Sequence, residues 1–207
     1  MEQNGLETLI KGMEAYGVLR SPGIKAAFRA VDRRDFVPDY FGEETYGDYP
    51  LPIGEDQTIS QPTTVAFMLE LLDAQPGGRV LDIGSGSGWT TALLGSIVGD
   101  KGEVIGLERQ PALVEKGRRN IEPFHFAHVR IEQAGDVLGM PGETFDAILV
   151  SASAPKIPEQ LFAQLKTGGT LVIPVQNSVY RFTKLSEAEI RQEEYPGFVF
   201  VPLIYNK

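Results

Sequence analysis

The chain of 207 residues contains no cysteine and only two histidines, His125 and His128. Without cysteine there can be no disulfide, thiol nucleophile or cysteine metal site, and this composition agrees with a reducing cytoplasm. No apolar run is long enough to cross a bilayer, and the first residues lack the basic start and apolar core of a signal peptide. We therefore expect a cytoplasmic protein with no membrane contact.

Clusters of basic residues are also scarce, since the formal net charge is −9 and the densest basic pair is Arg118-Arg119. Nucleic-acid partners are disfavoured, because neutralising phosphates requires clustered lysine and arginine. Hydrophobic residues make up 42% and charged residues 23% of the chain, as in ordinary globular proteins. The length predicts a single domain over residues 1–207. The oligomeric state stays open, with a monomer favoured.

The most informative stretch is RVLDIGSGSG, residues 79–88. A short apolar run holds one acid, Asp82, and ends in alternating glycines, after which Trp89 opens a segment with helical spacing of apolar residues. This pattern predicts a strand, a glycine turn and a helix. Glycines allow positive φ and close approach to a ligand, and a helix N-terminus offers free N–H groups.

The glycine spacing is D-x-G-x-G-x-G and differs from the G-x-G-x-x-G fingerprint of dinucleotide sites. The next predicted strand, Glu103–Glu108, ends in an acid at the position expected for a ribose-binding carboxylate. Two acids around a glycine turn favour a cofactor with an amino or cationic head and a ribose. S-adenosylmethionine fits this description, although a glycine-rich turn that binds nothing is the alternative.

The rest of the chain predicts an α/β fold with a mostly parallel, doubly wound sheet. Two amphipathic helices come first and are expected to cover one sheet edge; an irregular aromatic and proline-rich segment, 35–62, should pack over the cofactor cleft. Residues 1–62 thus form a covering part and residues 63–207 a cofactor-binding core. Further strands are predicted at 128–133, 145–150 and 170–175, with a helix through Leu161, Phe162 and Leu165. Strands at 182–185 and 198–204 should end the sheet as an antiparallel pair.

Six segments together resemble the protein-L-isoaspartate O-methyltransferases, in chain order from about Val31 to Ile204. They are DRRDFVP, LPIGEDQTISQP, VLDIGSGSGW, SASAPKIPEQL, LKTGGTLVIPV and FVPLI. The resemblance implies a Rossmann-like methyltransferase sheet with seven strands whose last strands depart from the commoner order. It also implies S-adenosyl-L-methionine as cofactor and isoaspartyl-containing proteins or peptides as substrates.

The same resemblance implies roles for single residues. Ser60 matches the active-site serine, and residues 201–203 match a segment that borders the substrate peptide. The matching cofactor-binding positions are Gln57, Thr58, Ile59, Ser60, Asp82, Gly84, Ser85, Gly86, Glu108, Asp136 and Val137. No metal site is expected.

Some observations leave other interpretations open. Ser60 stands just before Gln61-Pro62, so the local pattern also fits a cap of the following helix. Glu55, Asp56 and Val137 depart from the family pattern, and two added acids near an anionic substrate would repel it. The alternatives are therefore another carboxylate acceptor, or a cofactor-binding module without turnover.

The predicted chemistry needs no general base. A carboxylate acceptor is already deprotonated at neutral pH, whereas an amine or phenol would usually need a base. His125 and His128 are expected to be surface or core residues and not catalysts. Methyl transfer to a carboxylate by proximity and orientation is the simplest mechanism that the sequence supports.

Overall fold

The computed structural model describes residues 3–205 and contains five α-helices in that range. The helices are α1 Gln3–Ala15, α2 Pro22–Ala30, α3 Pro62–Leu72, α4 Trp89–Val98 and α5 Pro111–Ile121. Proline stands at the start of α2, α3 and α5, where its missing N–H has no intrahelical acceptor to lose. Short 3-10 helices are Arg33–Phe36, Asp39–Tyr46, Glu122–Phe124 and Glu159–Gln164.

The strands form a two-stranded hairpin and a seven-stranded sheet. The hairpin consists of β1 Leu51–Gly54 and β2 Gln57–Ile59; the sheet contains β3 Arg79–Ile83, β4 Glu103–Glu108, β5 Val129–Gln133, β6 Phe145–Val150, β7 Leu165–Val175, β8 Ser178–Ser186 and β9 Glu189–Pro196. The sheet order is β5-β4-β3-β6-β7-β8-β9. Pairs from β5 to β7 are parallel, and β8 and β9 are antiparallel additions. The predicted α/β class is confirmed.

Alternate residues of the central strands enter two separate hydrophobic clusters, one on each face of the sheet. Val80 joins the cluster that contains the apolar residues of all five α-helices, while Leu81 joins the cluster covered by the 3-10 helix Glu159–Gln164 and its neighbouring segments. The buried parallel strands are therefore apolar on both faces. Helix α2 was expected to cover a sheet edge, but it packs against α4. At this contact the Phe28 ring meets the Trp89 ring edge to face, with 5.6 Å between the ring centroids.

The end of the chain differs from the sequence prediction. β8 contains the predicted 182–185 strand, but its antiparallel partner is Glu189–Pro196 and not 198–204. This edge strand carries polar residues on both sides, so it lacks the alternation by which a half-buried strand is recognised. The apolar run 198–204 contributes only an isolated bridge at Pro202.

The region around Leu161 also differs. The expected helix is the 3-10 helix Glu159–Gln164, and Leu165 already belongs to β7. Six residues after Pro158 are too few for a stable helix of several turns. β7 therefore starts before the predicted 170–175 strand, with an irregularity in its pairing to β6.

The hairpin β1–β2 was not predicted within the irregular segment. Its two turn residues, Glu55 and Asp56, both have positive φ, at 53° and 55°. Positive φ at both central residues is the type I′ geometry that joins antiparallel strands and favours Asn-Gly or Asp-Gly. Both carboxylates are exposed at the tip of the hairpin.

We predict that Asp56→Gly raises the free energy of unfolding by about 0.5–1 kcal/mol, because glycine adopts left-handed backbone without a Cβ penalty. The matched control is Asp136→Gly, at an exposed aspartate without positive φ, which should be neutral or slightly destabilising. Urea unfolding of both variants measures this. Destabilisation by Asp56→Gly would contradict the assigned turn.

Candidate active site

A cleft of about 1020 Å³, with open solvent at its mouth included, lies at the carboxyl ends of β3, β4 and β6. In this sheet the strand order reverses between β3 and β6, and ligands of open α/β sheets bind at such a switch point. Gly84, Glu108 and Ser151 each follow or end one of these strands and line the cleft. The fold itself therefore brings together residues that are far apart in the sequence.

The glycine turn forms the floor of this cleft. Gly84, Gly86 and Gly88 have φ of 82°, 55° and 91°, a region that other residues rarely adopt. A Cβ on Gly88 would lie 3.0 Å from Ile131 Cδ1 and 3.2 Å from the carbonyl oxygen of Gly117, so the turn also needs glycine for packing. Gly117, on α5, was not singled out from the sequence.

Glu108 borders the same turn. Its Oε2 accepts a hydrogen bond from the Gly86 N–H at 2.9 Å, and its Oε1 accepts one from the Gln110 N–H at 2.8 Å. The carboxylate is buried and lines the cleft. It is thus fixed in place, and each oxygen retains a lone pair for a ligand hydroxyl.

Ser85 provides a direct test of whether a polar ligand fits. Ser85 lines the cleft, and its hydroxyl is buried without a hydrogen-bond partner within residues 3–205. Buried polar groups are normally paired, so an unpaired hydroxyl on a residue that lines the cleft indicates a missing partner. With the ribose-type acid Glu108 and the open glycine turn, these residues fit S-adenosylmethionine.

Asp82 occupies a different place from the one expected of a cofactor contact. It is fully buried, does not line the cleft, and its Oδ2 accepts hydrogen bonds from the hydroxyls of Thr90 at 2.7 Å and Thr91 at 2.6 Å. Thr90 does line the cleft, so Asp82 reaches it through one intervening side chain. Burial raises the pKa of Asp82 to about 6; the threonine hydrogen bonds oppose this shift and the charge of Glu108 adds to it.

Ser60 lies at the edge of the cleft and does not cap α3. No side-chain cap comes from the residue before the helix; instead Asp48 accepts hydrogen bonds from the Thr63 N–H at 2.9 Å and the Thr63 hydroxyl at 2.7 Å. The Ser60 hydroxyl makes no hydrogen bond within the part of the chain that the structure describes. The capping interpretation thus loses its structural basis, and the hydroxyl is free for a ligand.

Two segments outside the sheet cover the cleft. The hairpin brings residues 57–60 to it, and Lys116 of α5 fixes the hairpin by donating to the Ile53 carbonyl at 2.9 Å. Residues 201–205 line the opposite side. Backbone hydrogen bonds of 2.8 Å with Ser153 hold this second segment, and Arg109 donates to the Ile204 carbonyl.

The remaining predicted site residues divide into two groups. Gln57, Thr58, Ile59 and Val137 line the cleft, whereas Asp136 is exposed and is not among the lining residues. Glu55 and Asp56 do not line it either. Both histidines lie outside the cleft at the β5 edge, where the ring of His128 contacts the Gly95 carbonyl.

Several lining residues were missed. Trp89, Arg109, Gln110 and Ala134 follow the glycine turn or the strand ends, and Ser151 directly follows β6. For Ser151 a signal existed, because residues just after neighbouring parallel strands gather at one edge. Tyr205 gave no such signal, since it follows the last predicted strand, 198–204, and belongs to no strand.

Comparison with known proteins agrees with this geometry. The family model described as "Protein-L-isoaspartate(D-aspartate) O-methyltransferase (PCMT)" matches residues 4–207. This chain belongs to that family. A protein-L-isoaspartate O-methyltransferase of Methanopyrus kandleri is 40% identical over 204 residues, covering 96% of this chain and 90% of the relative. One from Trichlorobacter lovleyi is 42% identical over 191 residues, covering 90% and 87%.

Solved structures extend the likeness to three dimensions. A Plasmodium falciparum structure, described as a protein-L-isoaspartate O-methyltransferase in complex with S-adenosyl-L-homocysteine, matches with a TM-score of 0.85 and 28% identity. The match covers 96% of this chain and 98% of that one. The family resemblance inferred from the six sequence segments is therefore confirmed. Within residues 3–205, no helix is both long and apolar enough to cross a membrane.

The capping geometry predicts that Ser60→Ala and Asp48→Ala differ in stability. Asp48→Ala should lower the free energy of unfolding by about 1–2 kcal/mol because α3 loses its cap. Ser60→Ala should stay within about 0.5 kcal/mol of the parent protein. Chemical denaturation of the cofactor-free proteins checks both. The reverse order of stabilities would restore Ser60 as the cap.

Asp82 predicts a pH dependence of stability. An acid with a folded-state pKa near 6 and an unfolded value near 3.8 binds protons more tightly when folded. Its stabilising contribution is therefore complete below about pH 4 and is lost as the pH rises through 6. The unfolding free energy of the parent minus that of Asp82→Asn should fall by about 2–3 kcal/mol from pH 4 to 7. Urea titrations at several pH values test this; a constant difference would contradict it.

Proposed function

We propose that this protein transfers a methyl group from S-adenosylmethionine to the side-chain carboxylate of L-isoaspartyl residues in damaged proteins, a repair reaction. The observation that carries the proposal is the free Ser60 hydroxyl in a cleft whose lining, within residues 3–205, includes no histidine or lysine. The one carboxylate of that lining, Glu108, is held at the glycine turn by the Gly86 and Gln110 N–H groups. Such a cleft suits an acceptor that needs orientation but no deprotonation. We further expect it to act as a cytoplasmic monomer.

The residues present divide the task between them. When bound, the cofactor supplies a methyl group on a sulfonium. Glu108, the Ser85 hydroxyl and the glycine turn would hold the cofactor, with Asp82 supporting the turn through Thr90. The Ser60 hydroxyl donates a hydrogen bond to one carboxylate oxygen of the acceptor, which leaves the other oxygen to attack. Residues 201–203 border the position of the substrate peptide.

A different carboxylate acceptor was the main alternative, and the structure reduces its support. The two added acids, Glu55 and Asp56, stand at the exposed tip of the hairpin and are not among the cleft-lining residues. Their repulsion of an anionic substrate is screened by solvent. Val137 alone of the three departures lines the cleft.

Paired peptides test the proposal directly. An isoaspartyl peptide and its aspartyl twin, identical in sequence, are incubated with enzyme and saturating S-adenosylmethionine. Mass spectrometry should show one added methyl on the isoaspartyl peptide alone. Equal methylation of both peptides would favour the broader acceptor class, and no methylation of either would leave a binding module without turnover.

Glu108→Ala and Ser60→Ala should fail in different ways. Loss of charge-assisted hydrogen bonds from Glu108, worth roughly 1.5–3 kcal/mol, should weaken S-adenosylhomocysteine binding about ten- to a hundredfold. Ser60→Ala should keep that affinity within about twofold. Its turnover should drop on the order of a hundredfold, because the acceptor loses its orientation. Calorimetry and initial rates separate the two, and normal turnover by Ser60→Ala would exclude the assigned role.

A further inference from the structure

Arg33 is a buried cation whose hydrogen-bond partners among residues 3–205 are all backbone carbonyls. It is fully buried at the start of the 3-10 helix Arg33–Phe36. Its Nη1 donates to the carbonyls of Thr45 at 2.6 Å and Gly47 at 3.2 Å; its Nη2 donates to those of Tyr49 at 3.0 Å and Ser60 at 3.2 Å. Burial lowers the pKa of Arg33 to about 10, partly offset by attraction to Asp48 and Tyr49, so the group stays charged at neutral pH.

The two carbonyls that accept hydrogen bonds from Nη2 lie at the base of the β1–β2 hairpin. Tyr49 stands two residues before β1, and Ser60 follows β2 directly. The guanidinium therefore links the backbone before β1 to the backbone after β2, just beyond the last paired residues, Leu51 and Ile59. Its planar fork suits this task, because its donors are fixed in one plane.

The same guanidinium also contacts Trp89, a residue that lines the cleft. Its Cζ lies 5.5 Å from the centre of the Trp89 ring, a cation–π distance. Trp89 is the first residue of α4, directly after the glycine turn, and it lines the cleft. Its indole N–H donates to the Val31 carbonyl at 3.3 Å, two residues before Arg33. One side chain thus connects the backbone of Ser60 to the helix that starts at the glycine turn.

We propose that Arg33 is a positioning residue for methyl transfer, which fixes the Ser60 backbone relative to Trp89 and the glycine turn. This inference rests on the proposed function. In-line displacement needs acceptor and donor held together closely, and a misplacement of about 1 Å can cost on the order of a hundredfold in rate. Arg33 acts through Ser60 and does not itself line the cleft.

The test uses Arg33→Lys and Arg33→Met, with Lys184→Met as control. Lys184 is also a buried cation that donates to two backbone carbonyls, those of Phe162 and Leu165, but it lies away from the cleft.

Turnover is expressed per molecule that binds S-adenosylhomocysteine, so that unfolded protein is not counted. Both Arg33 variants should lose about ten- to a hundredfold in kcat, with lysine retaining more. Their KM for peptide and Kd for S-adenosylhomocysteine should change less than about threefold. Lys184→Met should melt earlier with normal kcat.

Hydrogen exchange provides a readout that does not depend on catalysis. In Arg33→Lys, backbone amides of residues 51–60 should exchange at least tenfold faster, while those of β3 and α4 stay protected. Normal kcat per binding molecule, unchanged exchange of 51–60, or failure of both Arg33 variants to fold would each overturn the proposal. If the parent protein methylates no isoaspartyl peptide, the proposed function fails. Unchanged exchange beside normal parent turnover defeats the positioning role alone.

Discussion

The parallel pairing of β3 with β4 and β6 is the constraint on which the site depends. Ile83 pairs with Leu107 on one side and with Val150 on the other, so all three strands end at one level. The next residues along each strand are Gly84, Glu108 and Ser151, all in the cleft. Sheet register therefore places these cleft-lining residues beside each other before any side chain contributes.

The side of the cleft that carries Ser60 is held by other means, because its residues belong to segments outside the seven-stranded sheet. Three polar contacts fix the segment that carries Ser60: Arg33 donates to the Ser60 carbonyl, Asp48 caps the following helix, and Lys116 holds the hairpin. Each contact joins residues at least 15 positions apart. A segment held by a few polar contacts opens at a lower free energy than the central sheet. This difference suits a site that substrate must enter and leave.

The sequence predicts best where structure follows from neighbouring residues. The glycine turn after an apolar strand was readable in this way. β9 was missed because an edge strand needs no apolar face, and the hairpin because Glu55-Asp56 replaces the usual glycine-containing turn. The burial of Asp82 and the capping of α3 by Asp48 depend on contacts across the fold, so no local pattern could indicate them. The local sequence around Ser60 fitted a helix cap as well as an active-site residue. Only the family resemblance favoured the active-site role for Ser60.

In the proposed reaction the acceptor is a carboxylate that is oriented without a general base. The most direct test is the pH dependence of kcat on an isoaspartyl peptide at saturating S-adenosylmethionine from pH 5.5 to 8.5. The acceptor is ionised throughout, since the reference pKa of a carboxyl lies near 4, so kcat should vary less than about threefold. A tenfold rise per pH unit between pH 6 and 8 would show that a base must first lose its proton, and would contradict the account.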